Sequence, residues 1–151
     1  MPTPAIRELL GAFQGLKTDM FHKDFLLTWE HPTEEIKAIL TLAEALKQLH
    51  QGGYSYRAFD TGLAISIFRD NSTRTRFSYA SAASALGFTL SELDEQKSQV
   101  AHGETVRETA NMISFLTEVI GIRDDMFLGE GNKYMREVGD ALTDGTKQGV
   151  L

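Results

Sequence analysis

LAISIFRDNSTRTRFSYASAASALG, residues 63–87, is the stretch on which the fold turns. Leu63 to Phe68 is apolar and β-prone, which predicts a buried strand. Ser72 follows as an N-cap, and a helix then runs to about Leu86 with Gly87 just past its end. Ala80, Ala83 and Ser84 are small enough to let that helix lie close on a sheet. A strand that passes straight into a helix is the unit of a parallel sheet.

The flanking segments repeat the alternation. Towards the N-terminus, Thr33 to His50 is amphipathic, with Thr33 as cap and Glu34 and Glu35 at the positive end of the dipole. Ile36, Ile39, Leu40, Ala43, Leu46 and Leu49 recur at helical spacing, and Gly52-Gly53 ends the run. Residues 24–29, DFLLTW, read as a short strand or a turn before His31-Pro32. IRELLGAF, residues 6–13, reads as a short helix or an N-terminal arm. Towards the C-terminus, a short strand is expected at 88–93 and a loop at 97–103. A helix is expected at 104–116, with Val106, Ala110, Ile113 and Leu116 or Thr117 on one face. A strand follows at 119–122, then a turn at Gly129-Glu130-Gly131. A helix at 132–142 buries Tyr134, Met135, Val138 and Leu142. The expected class is α/β, a parallel sheet flanked by helices. The expected organisation is an N-terminal arm over 1–23 and one domain over 24–151.

Bulk properties narrow the function classes. A chain of 151 residues with 42% hydrophobic and 24% charged residues has the composition of a folded domain rather than a disordered one. Its net charge of −6 argues against general nucleic-acid binding. RNA binding through Arg74 and Arg76 also lacks an aromatic stacking platform. Without cysteine there is neither a disulfide framework nor a thiolate metal site. No apolar run approaches the ~18 residues of a membrane span. The opening MPTPAIRELLGAF has no signal-peptide core, so a cytoplasmic protein without a membrane partner is expected. Asp124-Asp125 has no partner set for a metal and is expected in a solvated loop. Trp29 is expected in the core or at an interface.

The residues between strand and helix carry chemistry. Ligands of open α/β sheets bind beyond the carboxyl ends of the strands. A helix N-terminus there presents unpaired N–H groups and partial positive charge. Ser72, Thr73 and Thr75 add hydroxyls, and Arg74 adds a planar fork for phosphate oxygens. Together they describe a phosphate cradle that is neither a P-loop nor a dinucleotide fingerprint. The plainer alternative is a capped helix whose arginines face water or acids. Arg74 and Arg76 lie about 200° apart on a helix, so one is expected at the ligand and the other in a structural ion pair. SQVAHGET, residues 98–105, offers Ser98, Gln99 and His102 as donors, or is an ordinary loop with a helix cap. Arg123 ends a strand, either at the same sheet edge as the cradle or simply solvated.

Taken in this order, the three features resemble the aspartate/ornithine carbamoyltransferase family, in its N-terminal, carbamoyl-phosphate-binding domain. Ser72-Thr73-Arg74-Thr75-Arg76 resembles the family's S-T-R-T-R signature. Ser98-Gln99 with His102 resembles the S-Q-x-x-H loop of the ornithine branch, and Gly103-Glu104-Thr105 the G-E-T of the aspartate branch. Arg123 matches the arginine that ends the next strand. DNSTRTRFSYASAASALG and KSQVAHGETVRETANMISF are most similar to the YgeW-type branch. The resemblance runs from about Asp24 onward.

The resemblance implies that Ser72, Thr73, Arg74 and Thr75 hold the phosphate of carbamoyl phosphate. It implies that Gln99 touches the same substrate from the family's mobile loop, and that Arg123 bridges phosphate and carbamoyl oxygen. In the aspartate branch this loop reaches a neighbouring subunit's site, so a role in trans is open to Gln99 and His102. His102 stands where that branch has lysine. Homotrimers, or multiples of them, are implied, with no metal and no cofactor. The implied reaction is attack by an amine of an amino-acid-like acceptor on the carbamoyl carbon, with phosphate leaving. Arg74 and Arg123 would stabilise the growing negative charge.

Family members continue into an H-P-x-Q segment and a second domain that binds the acceptor. His31-Pro32-Thr33-Glu34 precedes the S-T-R-T-R motif and opens a helix, so it is read as coincidence. The chain alone is therefore expected to be inactive. The alternative is a non-catalytic anion-binding or assembly domain of the same fold.

Overall fold

The computed structural model describes residues 4–16, 18–70 and 72–143. Asn71 and residues 144–151, which the expected domain includes, lie outside the described residues. The chain forms two compact units, one from residues 1–21 and 27–58, the other from 22–26 and 59–151.

The first unit pairs α1 (Pro4–Gly15) with α2 (Thr33–Gln51). DFLLTW contains no strand; its end forms a 3-10 turn at Thr28–Glu30, and Trp29 is 80% exposed rather than in a core. Pro32, not Thr33, occupies the N-cap position and makes no side-chain cap bond. Proline supplies a fixed φ there, and Thr33 becomes the first helical residue. The buried stripe of α2 also differs from expectation. Ala38 and Ala45 are buried, whereas Leu40 is 64% exposed and Ala43 is exposed. Periodicity reports an apolar arc, and the face that is buried depends on what covers it.

The second unit holds the sheet. β1 (Leu63–Phe68) lies between β2 (Thr89–Glu92) and β3 (Val119–Arg123), and both pairings are parallel. α3 (Thr73–Leu86), α4 (Val106–Ser114) and α5 (Glu130–Thr143) complete it. Ala64 to Phe68 are all buried, as expected of a central strand. Ile65, Ile67 and Ile120 pack with Ala110 and Ile113 of α4 and with Tyr134, Val138, Ala141 and Leu142 of α5. Met135, expected in that core, is only half-buried.

Local signals explain the helix ends. Ser72 Oγ accepts from Thr75 N at 3.4 Å, and Gly87 closes α3 at φ 111°, where a side chain would be strained. Close approach of α3 to the sheet comes from Gly121 rather than from Ser84, which is exposed. A Cβ at Gly121 would lie 2.6 Å from the Tyr79 ring. Tyr79 donates its hydroxyl to Ile65 O at 3.0 Å, and burial pushes its pKa up to about 12. α4 starts at Val106 because Thr105 and Glu108 form a capping box. It stops at Ser114, so Thr117 is buried and Leu116 exposed. The expected loop at 97–103 is instead ordered as two 3-10 turns, Glu95–Lys97 and Gln99–His102. Asp94 and Ser98 cap them, which explains why short polar residues stand there. Among the described residues no helix is long and apolar enough to cross a membrane.

Candidate functional site

The parallel register aligns Phe68 with Arg123, so β1 and β3 end at the same edge of the sheet. The first turn of α3 and the Arg123 side chain meet there. Arg123 Nη1 donates to Thr75 Oγ1 at 2.9 Å, and Ser72 Oγ donates to the same oxygen at 2.9 Å. Ser72, Thr75 and Arg123 are thus one hydrogen-bonded group. Thr73 and Arg74 are exposed on the first turn, and among the described residues the Arg74 guanidinium makes no ion pair. The first backbone bond to return to the cap is Arg76 N to Ser72 O. The amides of Thr73 and Arg74 therefore face outward for an external acceptor.

Arg76 has the structural part. It pairs with Glu92 at 3.1 Å, donates to Phe68 O at 3.0 Å and lies 5.9 Å from the Phe68 ring centroid. It ties α3 to the ends of β1 and β2.

Two carboxylates face Arg123: Asp70, which the sequence reading did not single out, and Asp125, which it placed in a solvated loop. Arg123 Nη2 pairs with Asp70 Oδ2 at 3.0 Å and with Asp125. The hydrogen bond to Asp125, reinforced by burial, raises the Asp70 pKa against the lowering pull of Arg123. Asp125 is lowered by Asp70 and then by Arg123. The pair thus retains a proton on Asp70 at a pH where an ordinary aspartate has lost it. The expectation of a solvated acidic loop at Asp124-Asp125 holds for Asp125, whose side chain is 61% exposed, and fails for Asp124. Asp125 is on Arg123, and the Asp124 side chain is 6% exposed and pairs with Arg69 at 2.8 Å.

Arg69 and Asp70 follow the last residue of β1, Arg123 and Asp124 straddle the end of β3, and the two dipeptides exchange partners. The repeated Arg-Asp pair was the one trace of this in the sequence. Glu95 and Tyr134, which also meet Arg69, left no such signal.

The 98–102 segment stands apart from this group. Ser98 Oγ donates to Glu95 O at 3.0 Å and accepts from Val100 N at 3.3 Å, so its hydroxyl is engaged in capping. Ser98 lines a cleft of about 780 Å³ together with Asp70, Arg76, Glu95 and Arg69. Gln99 and His102 are exposed, and no hydrogen bond joins them to Ser72, Thr75 or Arg123. Among the described residues no group of three or more histidines and carboxylates is placed to hold a metal.

Among the described residues the arrangement offers an anion two amides without a hydrogen-bond partner in the fold, hydroxyls from Ser72 and Thr75, a guanidinium without an ion pair and a second one held by Asp70 and Asp125. The family described as aspartate/ornithine carbamoyltransferase, carbamoyl-P binding domain, matches residues 23–142. The chain is 61% identical over 146 residues to YgeW of Escherichia coli (strain K12), a provisionally named carbamoyltransferase, covering 97% of this chain and 37% of that one. It is 36% identical over 101 residues to the ornithine carbamoyltransferase of Anoxybacillus flavithermus (strain DSM 21510 / WK1), covering 67% of this chain and 32% of the relative. The ornithine carbamoyltransferase from Pyrococcus furiosus superposes with a TM-score of 0.74 at 27% identity, over 89% of this chain and 40% of that one. The chain thus spans well under half the length of these relatives.

Proposed function

The chain belongs to the aspartate/ornithine carbamoyltransferase family through its carbamoyl-phosphate-binding domain, and from that premise we propose that its cradle holds carbamoyl phosphate for transfer to an amine. The observation that carries the reading is the junction of Arg123 with Thr75 at 2.9 Å, which sets a cation from β3 against the free N-terminus of α3. The phosphate lies on the amides of Thr73 and Arg74, the hydroxyls of Ser72, Thr73 and Thr75, and the Arg74 fork. Arg123 reaches the phosphate and the carbamoyl oxygen once a ligand oxygen displaces Asp125, the more exposed of its two acids.

In the reaction the acceptor nitrogen bonds to the carbamoyl carbon, the bond from that carbon to the phosphate oxygen breaks, and phosphate leaves with the electron pair. Negative charge grows on the carbonyl and bridging oxygens, where Arg74 and Arg123 act on it most strongly. The departing phosphate takes the amine proton, so no side-chain base is needed. The acceptor is an amino-acid-like amine held by residues outside this stretch. Gln99 and His102 serve a site in a homotrimer, in cis or across a subunit boundary, which accounts for their standing clear of the cradle. The whole protein works in the cytoplasm. The 151-residue chain alone supplies the phosphate side and yields no carbamoylated product.

Calorimetric titration of the chain with carbamoyl phosphate, alongside Arg74→Ala, tests this. Saturable binding that Arg74→Ala abolishes supports the reading. Binding unaffected by the substitution, or no binding to a folded chain, favours a scaffold that keeps the fold without the substrate. Carbamoylated product from the chain alone would refute its inactivity.

A further inference from the structure

Arg69 is not among the cradle residues, yet its side chain is engaged on three sides at this edge of the sheet. Its Nε donates to Glu95 Oε2 at 2.8 Å and its Nη1 to Asp124 Oδ2 at 2.8 Å. Its guanidinium carbon lies 4.4 Å above the centre of the Tyr134 ring. Tyr134 closes the circuit by donating its hydroxyl to Glu95 Oε1 at 2.8 Å. Both oxygens of Glu95 are therefore fixed, one by β1's flank and one by α5.

Glu95 begins the segment that carries Ser98, Gln99 and His102. Its carbonyl accepts from Ser98 N and Ser98 Oγ, and Ser98 in turn caps the Gln99–His102 turn. Among the described residues, every hydrogen bond that ties 95–103 to elements beyond its own turns passes through the Glu95 carboxylate. The rest are local turn bonds, and most of the segment is exposed. A segment of that kind has little stability of its own and opens readily unless it is anchored.

The anchor requires arginine in particular. Two N–H groups of one plane point at carboxylates from different loops while the face lies on a ring, and a lysine ammonium cannot do all three. The Arg69 side chain makes no hydrogen bond to Ser72, Thr75 or Arg123. It reaches the end of β3 through Asp124, and its backbone N–H donates to Arg123 O at 3.0 Å, a bond that the substitutions below keep.

We propose that Arg69 is a positioning residue that holds the Glu95–His102 segment in place through Glu95, leaving the cradle to bind phosphate by itself. The consequence for ligand choice rests on the carbamoyl-phosphate reading above. Gln99 meets the carbamoyl end and the cradle meets the phosphate end, so loosening the segment lowers the preference for carbamoyl phosphate over plain phosphate.

The test compares wild type, Arg69→Met, Arg69→Lys and Glu95→Gln by amide hydrogen exchange and by titration with carbamoyl phosphate and with inorganic phosphate. Arg69→Met is expected to speed exchange at Gln96–Glu104 about tenfold while leaving β1 and β3 unchanged. The preference for carbamoyl phosphate over phosphate is expected to fall about tenfold, with phosphate affinity held within about twofold. Arg69→Lys is expected not to restore either. Glu95→Gln cuts the same link from the other side and serves if Arg69→Met does not fold. Unchanged exchange across Gln96–Glu104 overturns the proposal. So does an equal loss of phosphate and carbamoyl-phosphate affinity, which would place Arg69 in the cradle itself. If the wild type binds neither ligand, the carbamoyl-phosphate reading fails, and the anchoring by Arg69 is decided by exchange alone.

Discussion

Arg123 and Thr75, 48 residues apart in sequence, are joined by a hydrogen bond of 2.9 Å from Nη1 to Oγ1. The bond puts the last residue of β3 on the first turn of α3. Thr75→Val removes this acceptor and the partner of Ser72 while keeping the volume. Since Arg123 is partly exposed, water can take over its N–H, and we expect a loss of only about 1 kcal/mol in stability. Phosphate affinity should fall about tenfold, because Arg123 is no longer aimed. Urea unfolding and phosphate titration of the variant check both figures. Full retention of affinity would mean that the aim is set elsewhere.

Ser72 has two roles that can be separated. Ser72→Ala removes the cap and should cost about 1 kcal/mol. Ser72→Asp restores a capping oxygen and suits the helix dipole, so stability returns. Its charge occupies the place of an anion, so phosphate binding should vanish. A stable Ser72→Asp that still binds phosphate would show that the ligand lies away from the cap.

Asp70 and Asp125 give anion binding a pH dependence whose sign follows from their shifts. Asp70 is raised, so below its pKa it is neutral and Arg123 faces Asp125 alone as a charged acid. As pH rises through that value, a second carboxylate charge joins and competes with the ligand. The Thr75 hydroxyl and the α3 N-terminus, also facing Arg123, do not titrate in this window. Sulfate keeps its charge over the same range, so its affinity should fall as pH rises through the raised Asp70 pKa. Asp70→Asn should flatten the profile, and Asp125→Asn should tighten sulfate about fivefold. A sulfate affinity that rises with pH would contradict the assignment. Folding stability has matching signs. The raised Asp70 favours the fold below its pKa and loses that contribution as pH rises through it. The lowered Asp125 contributes above the ordinary aspartate pKa and loses its contribution as pH falls through its own.

Gly121 is needed for packing, not for backbone freedom. A methyl group there would meet the Tyr79 ring at 2.6 Å, so Gly121→Ala should destabilise by about 1–3 kcal/mol. A lower denaturant midpoint with an unchanged slope would identify the cost as native-state packing.

The parts of this molecule that could be read from the sequence are those whose causes are local. The apolar run at Leu63–Phe68, the cap at Ser72 and the left-handed Gly87 lie within one continuous stretch, and the structure reproduces all three. Arg76 could be separated from Arg74 by helical angle alone, and it does make the ion pair with Glu92. What stayed hidden depends on register. Arg69 meets Asp124, and Arg123 meets Asp70, only because Phe68 is set against Arg123. No periodicity in either strand specifies that alignment. The stripe on α2 failed at Leu40 and Ala43 for a similar reason, since burial there is decided by α1. The turns at 95–102 were missed because polar capping residues and polar loop residues are the same amino acids.

The exchange of partners between the ends of β1 and β3 has a mechanical result. An anion seated across Thr75 and Arg123 is gripped by α3, which follows β1, and by β3, which the chain reaches only after β2 and α4. Whatever fills the cradle therefore acts as a clasp on the central pairing of the sheet. Its binding energy adds to the cost of unzipping β3 from β1, in proportion to the logarithm of ligand concentration. The substrate would then be a building material of the domain as well as its cargo, and a chain kept in phosphate would hold β3 more firmly than the same chain in its absence.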